Sequence, residues 1–301
     1  MRGSGPPLQA VHGESAVGPV GMARLWISPA GLPLPRALRL AAPASTGKLL
    51  DSRALFRPAM AQSLQPHPWR PGDPPPPWPP AAAPPLPLLI DSRLPLPPSE
   101  GLLAHLTPEE RQRHGAYRLP ADRLRFLLGR ASLRLLLGHW LRQPPNAIPL
   151  LAGPHGKPHC PSPAAPAFNV SHSGDLILLA FHPAHPVGVD VERARPDLAW
   201  EPIARRVLDP AERTALHALP AADQVPAFLV AWCRLEARLK ARGVGLGGAA
   251  LPQEHDPGLE PHGSALVWEV RVPPGYAAAV ALEAPSSRSH PPHGGEARGV
   301  P

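Results

Sequence analysis

Cysteine is scarce in this chain. Only Cys160 and Cys233 occur among 301 residues, too few for a disulfide framework, and neither sits in a metal-ligand spacing. A reducing compartment, the cytoplasm, is the expectation. No apolar run is long enough to span a bilayer, and no internal repeat of fixed period stands out. Sustained periodicity is missing from the first 59 residues. They contain arginine and few acids, faintly like a transit peptide. The preferred reading is that Met1 is not the working start, since Met60 opens a shorter chain that keeps every patterned segment; residues 1–59 are expected to be disordered or not translated.

Proline, by contrast, is abundant: 49 residues, clustered in the first hundred positions, so the folded part is expected to be shorter than the chain. Residues 60–85 include Pro74 to Pro77 and Trp78-Pro79-Pro80. They are expected to be an extended polyproline spacer rather than a ligand for a proline-binding module. Globular patterning runs from about 86 to 284, enough for a sizeable core. The net charge of +7 suits an anionic partner, whether nucleic acid, a membrane surface, a phosphorylated ligand or an acidic protein, without choosing among them.

A short strand over 86–90 opens the ordered part. Thr107-Pro108-Glu109-Glu110 then has the form of a helix start, with Thr107 as cap, Pro108 at the first position and Glu110 closing a capping box. Arg111 and Arg113 follow. The spacing predicts a second helix from Pro120 to about Leu141, with Leu124, Leu127, Leu128, Ala131 and Leu135 as its core stripe. Arg123, Arg130 and Arg134 share a face, with Arg125 off it; solvation is the default for such residues, phosphate contact the functional alternative. After Gly156-Lys157-Pro158 comes a strand, Phe168-Asn169-Val170, and a polar turn, Ser171-His172-Ser173-Gly174. The apolar run 176–181 fits a buried central strand. His155, His159, His182 and His185 lie in proline-rich turns and are not read as metal ligands.

Val187-Gly188-Val189-Asp190-Val191-Glu192 alternates with period two, the pattern of a half-buried strand. The valines face the core, and Asp190 and Glu192 share the other face, roughly 6.5 Å apart along the backbone. Two such acids repel unless a metal or a basic group joins them, although a strand end with solvated acids fits this stretch equally well. Asp209-Pro210-Ala211-Glu212 repeats the helix-start pattern. A helix over 225–241 carries two stripes: Phe228, Trp232, Leu235 and Leu239, beside Leu229, Cys233, Glu236 and Lys240. An i,i+4 Glu–Lys pair is ordinarily surface decoration, but this one flanks a tryptophan in an apolar helix. Gly243 to Gly248 ends the helix, and 266–272 with 276–282 form a closing pair of strands around Pro273-Pro274-Gly275. Residues 285–301 are expected to be disordered.

The blocks Gly156-Lys157-Pro158, Phe168-Asn169-Val170-Ser171-His172-Ser173, Val187 to Glu192, and Trp232-Cys233-Arg234-Leu235-Glu236-Ala237-Arg238-Leu239-Lys240 together resemble the Sfp-type 4'-phosphopantetheinyl transferases, over roughly residues 86–284. The resemblance implies an α+β, pseudo-dimeric fold: two similar halves (86–185 and 186–284), each with a small antiparallel sheet packed on helices, preceded by a disordered proline-rich extension (1–85). It implies transfer of the phosphopantetheine arm of coenzyme A to a serine of an acyl or peptidyl carrier protein, releasing 3',5'-ADP. Such enzymes serve fatty-acid, polyketide, nonribosomal-peptide or lysine biosynthesis. By resemblance, Asp190, Glu192 and Glu236 hold Mg2+, whose preference is for hard oxygen ligands. Arg113, Arg125, Lys157, Ser171 and His172 contact the nucleotide, Lys240 holds the pyrophosphate, and Glu212 matches an acid implicated in activating the serine. A cytoplasmic monomer without nucleic-acid or membrane partners is implied.

Two positions depart from the family pattern: Leu235 stands where a lysine is usual, and Glu110 where a basic residue is common. The rival readings are a metal-dependent nuclease, suggested by Asp-x-Glu with a later Glu-x-x-x-Lys, and a non-catalytic relative that only docks carrier proteins.

Overall fold

A computed structural model describes residues 63–153, 155–244 and 265–283. The expected disorder of residues 1–59 and 285–301 lies outside the described residues. The chain forms β1 (Ser63–Leu64), β2 (His67–Pro68), β3 (Leu86–Asp91), β4 (Leu151–Ala152), β5 (Pro158–His159), β6 (Ala167–Ser173), β7 (Leu176–His182), β8 (Val187–Arg193), β9 (Leu266–Val270) and β10 (Tyr276–Leu282). Its helices are α1 (Ser99–Leu103), α2 (Pro108–Ala116), α3 (Pro120–Leu141), α4 (Glu201–Val207), α5 (Pro210–His217) and α6 (Ala221–Arg242).

The architecture is α+β in two similar halves. One sheet runs β2-β3-β7-β6 and the other β1-β9-β10-β8. Each has three antiparallel strands with a short parallel strand at one edge. A 22-residue helix accompanies each sheet, α3 in the first half and α6 in the second. Residues of α3 join β3 and β7 in one apolar core, and residues of α6 join β10 in another. A third apolar cluster, with Leu176, Leu178, Val187, Val189, Val191 and Trp268, lies where β7 and β8 meet. Both capping boxes form, at Thr107–Glu110 and at Asp209–Glu212, with both reciprocal bonds made. Among the described residues no helix is long and apolar enough to cross a membrane.

Order does not begin at Leu86. The segment before it supplies an edge strand to each sheet, β1 to β9 and β2 to β3. Trp69 is buried, its amide donates to the Leu89 carbonyl at 3.0 Å, and its indole N–H donates to Pro74 O at 3.2 Å. Trp78 packs edge-on against Trp140 and Phe181, with centroids 4.6 and 5.4 Å away. Prolines at a sheet edge forgo no ladder bond, and the tryptophans supply the apolar area that holds the strap down. Composition alone weighs the prolines and misses the two anchors.

Two further local readings change. Strand β6 runs to Ser173, so the tight turn is only Gly174-Asp175. On α3, Leu124 and Leu135 are half-buried while Arg134 is buried at 2% exposure. Its guanidinium pairs with both Glu110 oxygens (2.6 and 2.9 Å) and donates to the carbonyls of Pro145 and Ile148. Glu110, on α2, thus gives this arginine a buried partner that helix periodicity alone cannot reveal.

The halves meet at β6 and β8, which close their respective sheets. Here side chains replace a backbone ladder. The amides of Val189, Val191 and Arg193 donate to Asn169 Oδ1 (2.8 Å), Ser171 Oγ (3.4 Å) and Ser173 Oγ (3.1 Å). Alternate amides of an edge strand point outward, and each of these three finds a side-chain oxygen spaced by the same period.

Candidate active site

The acidic strand is covered, not solvated. At Gly188 the missing side chain lets α6 lie against β8, since an added Cβ would strike the Ala237 carbonyl and the Ala241 amide. That approach buries Asp190 (3% exposed) and Glu192 (8%). Lys240 Nζ lies 2.6 Å from Asp190 Oδ1 and 4.0 Å from Glu236 Oε2, so one ammonium serves both. Ser171 Oγ donates to Asp190 Oδ1 at 2.9 Å, and Ser173 Oγ to Glu192 Oε2 at 2.8 Å. The other Asp190 oxygen is buried without a hydrogen-bond partner.

Three carboxylates face one ammonium. Burial, then the charge of Asp190, pushes the Glu192 carboxyl up to about 8. Burial lifts Glu236 to about 7, with Lys240 pulling the other way. Burial alone would depress Lys240, but Asp190 and Glu236 outweigh it and its ammonium is held above the ordinary range. The cluster is short of positive charge.

On the opposite side of β6, His172 helps line a cleft with Arg113, Arg125, Phe126, Arg130 and Gly156. Phe126 attracts two guanidinium groups, Arg113 at 5.4 Å and Arg130 at 5.8 Å from its centroid, a cation–π arrangement. Burial, and then the charge of Arg125, depress His172 to about 4, so at neutral pH its ring is an uncharged hydrogen-bonding group. Arg125 also donates to Gly174 O (2.9 Å) and pairs with Asp122. Arg130 shares Glu110 with Arg134, at 3.4 Å.

The N-terminal segment 99–184 matches the family model described as 4'-phosphopantetheinyl transferase, N-terminal, and residues 186–267 match that of the 4'-phosphopantetheinyl transferase superfamily. The 4'-phosphopantetheinyl transferase HetI of Nostoc sp. is 34% identical over 161 residues, 51% of this chain and 68% of that protein. The chain belongs to the 4'-phosphopantetheinyl transferase superfamily. The 4'-phosphopantetheinyl transferase Sfp of Bacillus subtilis is 27% identical over 207 residues, 66% of this chain and 91% of that protein. Against slr0495 of Synechocystis sp., 34% identical over 160 residues, the match covers 52% of this chain and 65% of the relative.

Within this transferase fold the residues singled out from sequence fall into three groups. Asp190, Glu192, Glu236, Lys240 and Ser171 gather in the acidic cluster, whereas Arg113, Arg125 and His172 line the cleft. Lys157 lies between β8 and α6, with Nζ donating to the carbonyls of Val187 (2.9 Å) and Lys240 (2.5 Å). Burial, then the Lys240 charge, lowers it to about 8. Glu212 stands apart. Its carboxylate accepts the Asp209 amide in the capping box at 3.1 Å, its charged neighbour is Arg238, and it makes no hydrogen bond or ion pair with the acidic cluster. Leu235 is half-buried rather than part of the core stripe.

Among the described residues no three His, Cys, Asp or Glu side chains form a ready-made metal-ligand group, and the ammonium of Lys240 stands between Asp190 and Glu236. The sequence assigned no site role to Asn169, Ser173 or Phe126, and left Arg130 with solvation as its default. The first two had a signal: Asn169-x-Ser171-x-Ser173 alternates with the same period as the valines of β8, which argues for a continuing strand rather than a turn.

Proposed function

We propose that this protein transfers the 4'-phosphopantetheine arm of coenzyme A to a serine of an apo acyl or peptidyl carrier protein, releasing 3',5'-ADP. The carrying observation is that one strand, β6, separates a basic cleft from a buried acid–lysine cluster. A substrate with both a phosphorylated nucleotide and a pyrophosphate uses both sides.

In this reading the serine Oγ bonds to the β-phosphorus, the bridging P–O bond breaks, and its electron pair leaves with 3',5'-ADP. Glu236 accepts the hydroxyl proton directly or through water. Lys240 donates to the pyrophosphate and steadies the leaving group. Arg113 and Arg125 hold non-reacting phosphates with neutral His172 as a further donor. Lys157 braces the backbone of β8 and α6 beside them, and Ser171 holds Asp190. Glu212, committed to its capping box, is given no step.

The acidic set fits a divalent cation. Three carboxylates share one ammonium, two have raised pKa values, and a buried Asp190 oxygen has no partner. Asp190, Glu192 and Glu236 would hold Mg2+ as hard oxygen ligands. When bound, it would neutralise charge on the phosphoryl oxygens.

The test is incubation with coenzyme A, Mg2+ and apo acyl or peptidyl carriers, followed by intact mass. A carrier gaining one phosphopantetheine arm supports transfer. Carrier binding without a mass change supports a docking relative, and cleavage of DNA or RNA a nuclease. The reading places the enzyme in the cytoplasm as a monomer.

A further inference from the structure

Ser171 and Ser173 do more at the seam than Asn169 does. Each accepts a β8 amide, of Val191 or Arg193, and each spends its own proton on the acid beside that amide, Asp190 or Glu192. Asn169 accepts the Val189 amide in the same way but touches no acid, and its Nδ2 has no partner. A hydroxyl has one proton to give. Once the Arg193 amide occupies an acceptor site on Ser173, the oxygen is fixed and its O–H points at Glu192. The seam therefore holds one purely structural stitch and two stitches that also reach an acid.

We propose that Ser173 is a positioning residue: it holds Glu192 in the rotamer in which that carboxylate can bind a divalent cation. This rests on the metal reading given above. The Ser173 hydroxyl donates to Glu192 Oε2 at 2.8 Å, and the Arg193 amide pins the hydroxyl oxygen at 3.1 Å, so the carboxylate is held from a fixed point on β6. Groups that orient metal-binding carboxylates in this way typically change metal affinity 10–100-fold when removed.

The experiment measures Mn2+ binding to the metal-stripped full chain, without coenzyme A, by the loss of the free-ion paramagnetic resonance signal. Thermal midpoints are recorded in parallel. Ser173→Ala is expected to weaken Mn2+ binding about 10-fold or more, while Ser173→Thr, which keeps the hydroxyl, stays within about 3-fold of wild type. Asn169→Ala should lower the midpoint at least as much as Ser173→Ala yet leave Mn2+ affinity within about 3-fold. If Ser173→Ala does not fold, Ser173→Cys, a poor donor, is judged by the same criterion. Wild-type affinity in Ser173→Ala while Glu192→Gln binds poorly overturns the positioning role alone. Equal weakening in Asn169→Ala overturns it too, reducing Ser173 to a seam contact. Absence of Mn2+ binding by the wild type, or undiminished binding by Glu192→Gln, overturns the metal reading and this role with it.

Discussion

The carbonyl oxygen of Ala237 occupies the space that a side chain on Gly188 would need. Strand and helix touch there backbone to backbone, one turn of α6 before Lys240. Gly188→Ala must therefore push α6 off β8, and backbone atoms cannot swing aside as a flexible side chain can. A loss on the order of 3 kcal/mol or more is expected, seen as a thermal midpoint lower by 10 °C or so, together with loss of transfer activity. An alanine variant melting with the wild type would mean that this contact is looser than described.

The acids are not equivalent. Asp190→Ala takes from the buried Lys240 ammonium its nearest carboxylate, and breaking a buried pair from one side destabilises by about 3–5 kcal/mol. Glu192→Gln removes a charge that burial already disfavours, so without metal at pH 8.5 its midpoint should equal or exceed that of wild type. Both variants should lose transfer by orders of magnitude. Opposite ordering of the two midpoints would contradict the charge balance described.

Metal-free stability should fall as pH rises toward 8. Glu192 and Glu236 have folded pKa values of about 8 and 7, above the ordinary 4.5. Between 4.5 and those values the folded state holds more protons than the unfolded one, so stability decreases with pH. His172, depressed to about 4 from 6.5, acts in the opposite sense: its unfolded form takes the proton first, and stability falls as pH drops from 6.5 to 4. His105, His114 and His182, also lowered mainly by burial, add to His172 below 6.5, and Lys157, lowered to about 8, opposes the acids near pH 8; between these limits the two acids outweigh them, and midpoints in a chelator should rise from pH 8 to pH 6.5. Saturating Mg2+ should flatten this slope. A chelator series rising from pH 6.5 to pH 8 would sink the assignment.

The strap before Leu86 carries weight. A chain starting at Met60 retains β1, β2, Trp69 and Trp78 and should melt with the full chain. A chain starting at Leu86 loses both edge strands and both tryptophans; removing a buried tryptophan alone typically removes about 3–5 kcal/mol. Circular dichroism melts of the two chains test this, and equal midpoints would return the strap to the status of a spacer.

Much of the site is legible because it lies on regular elements. Period two places Asp190 and Glu192 on one face, and the i,i+4 step unites Glu236 with Lys240, both before any tertiary contact is known. What periodicity cannot reach is the third dimension. That Glu110 on α2 would bury Arg134 on α3 depends on helix docking, and so does the diversion of Lys157 to the carbonyls of Val187 and Lys240. Glu212 shows the converse: the capping pattern that made its position readable also employs its carboxylate. Proline content, a bulk average, hid Trp69 and Trp78 because two anchors barely move an average.

A backbone ladder is indifferent to which residues carry it, and the β6–β8 junction is not. Three side-chain oxygens do the work of main-chain carbonyls there, so single codon changes can weaken the union of the halves in a way that no ordinary sheet permits. That line of side chains runs beside the acids on which the proposed chemistry depends.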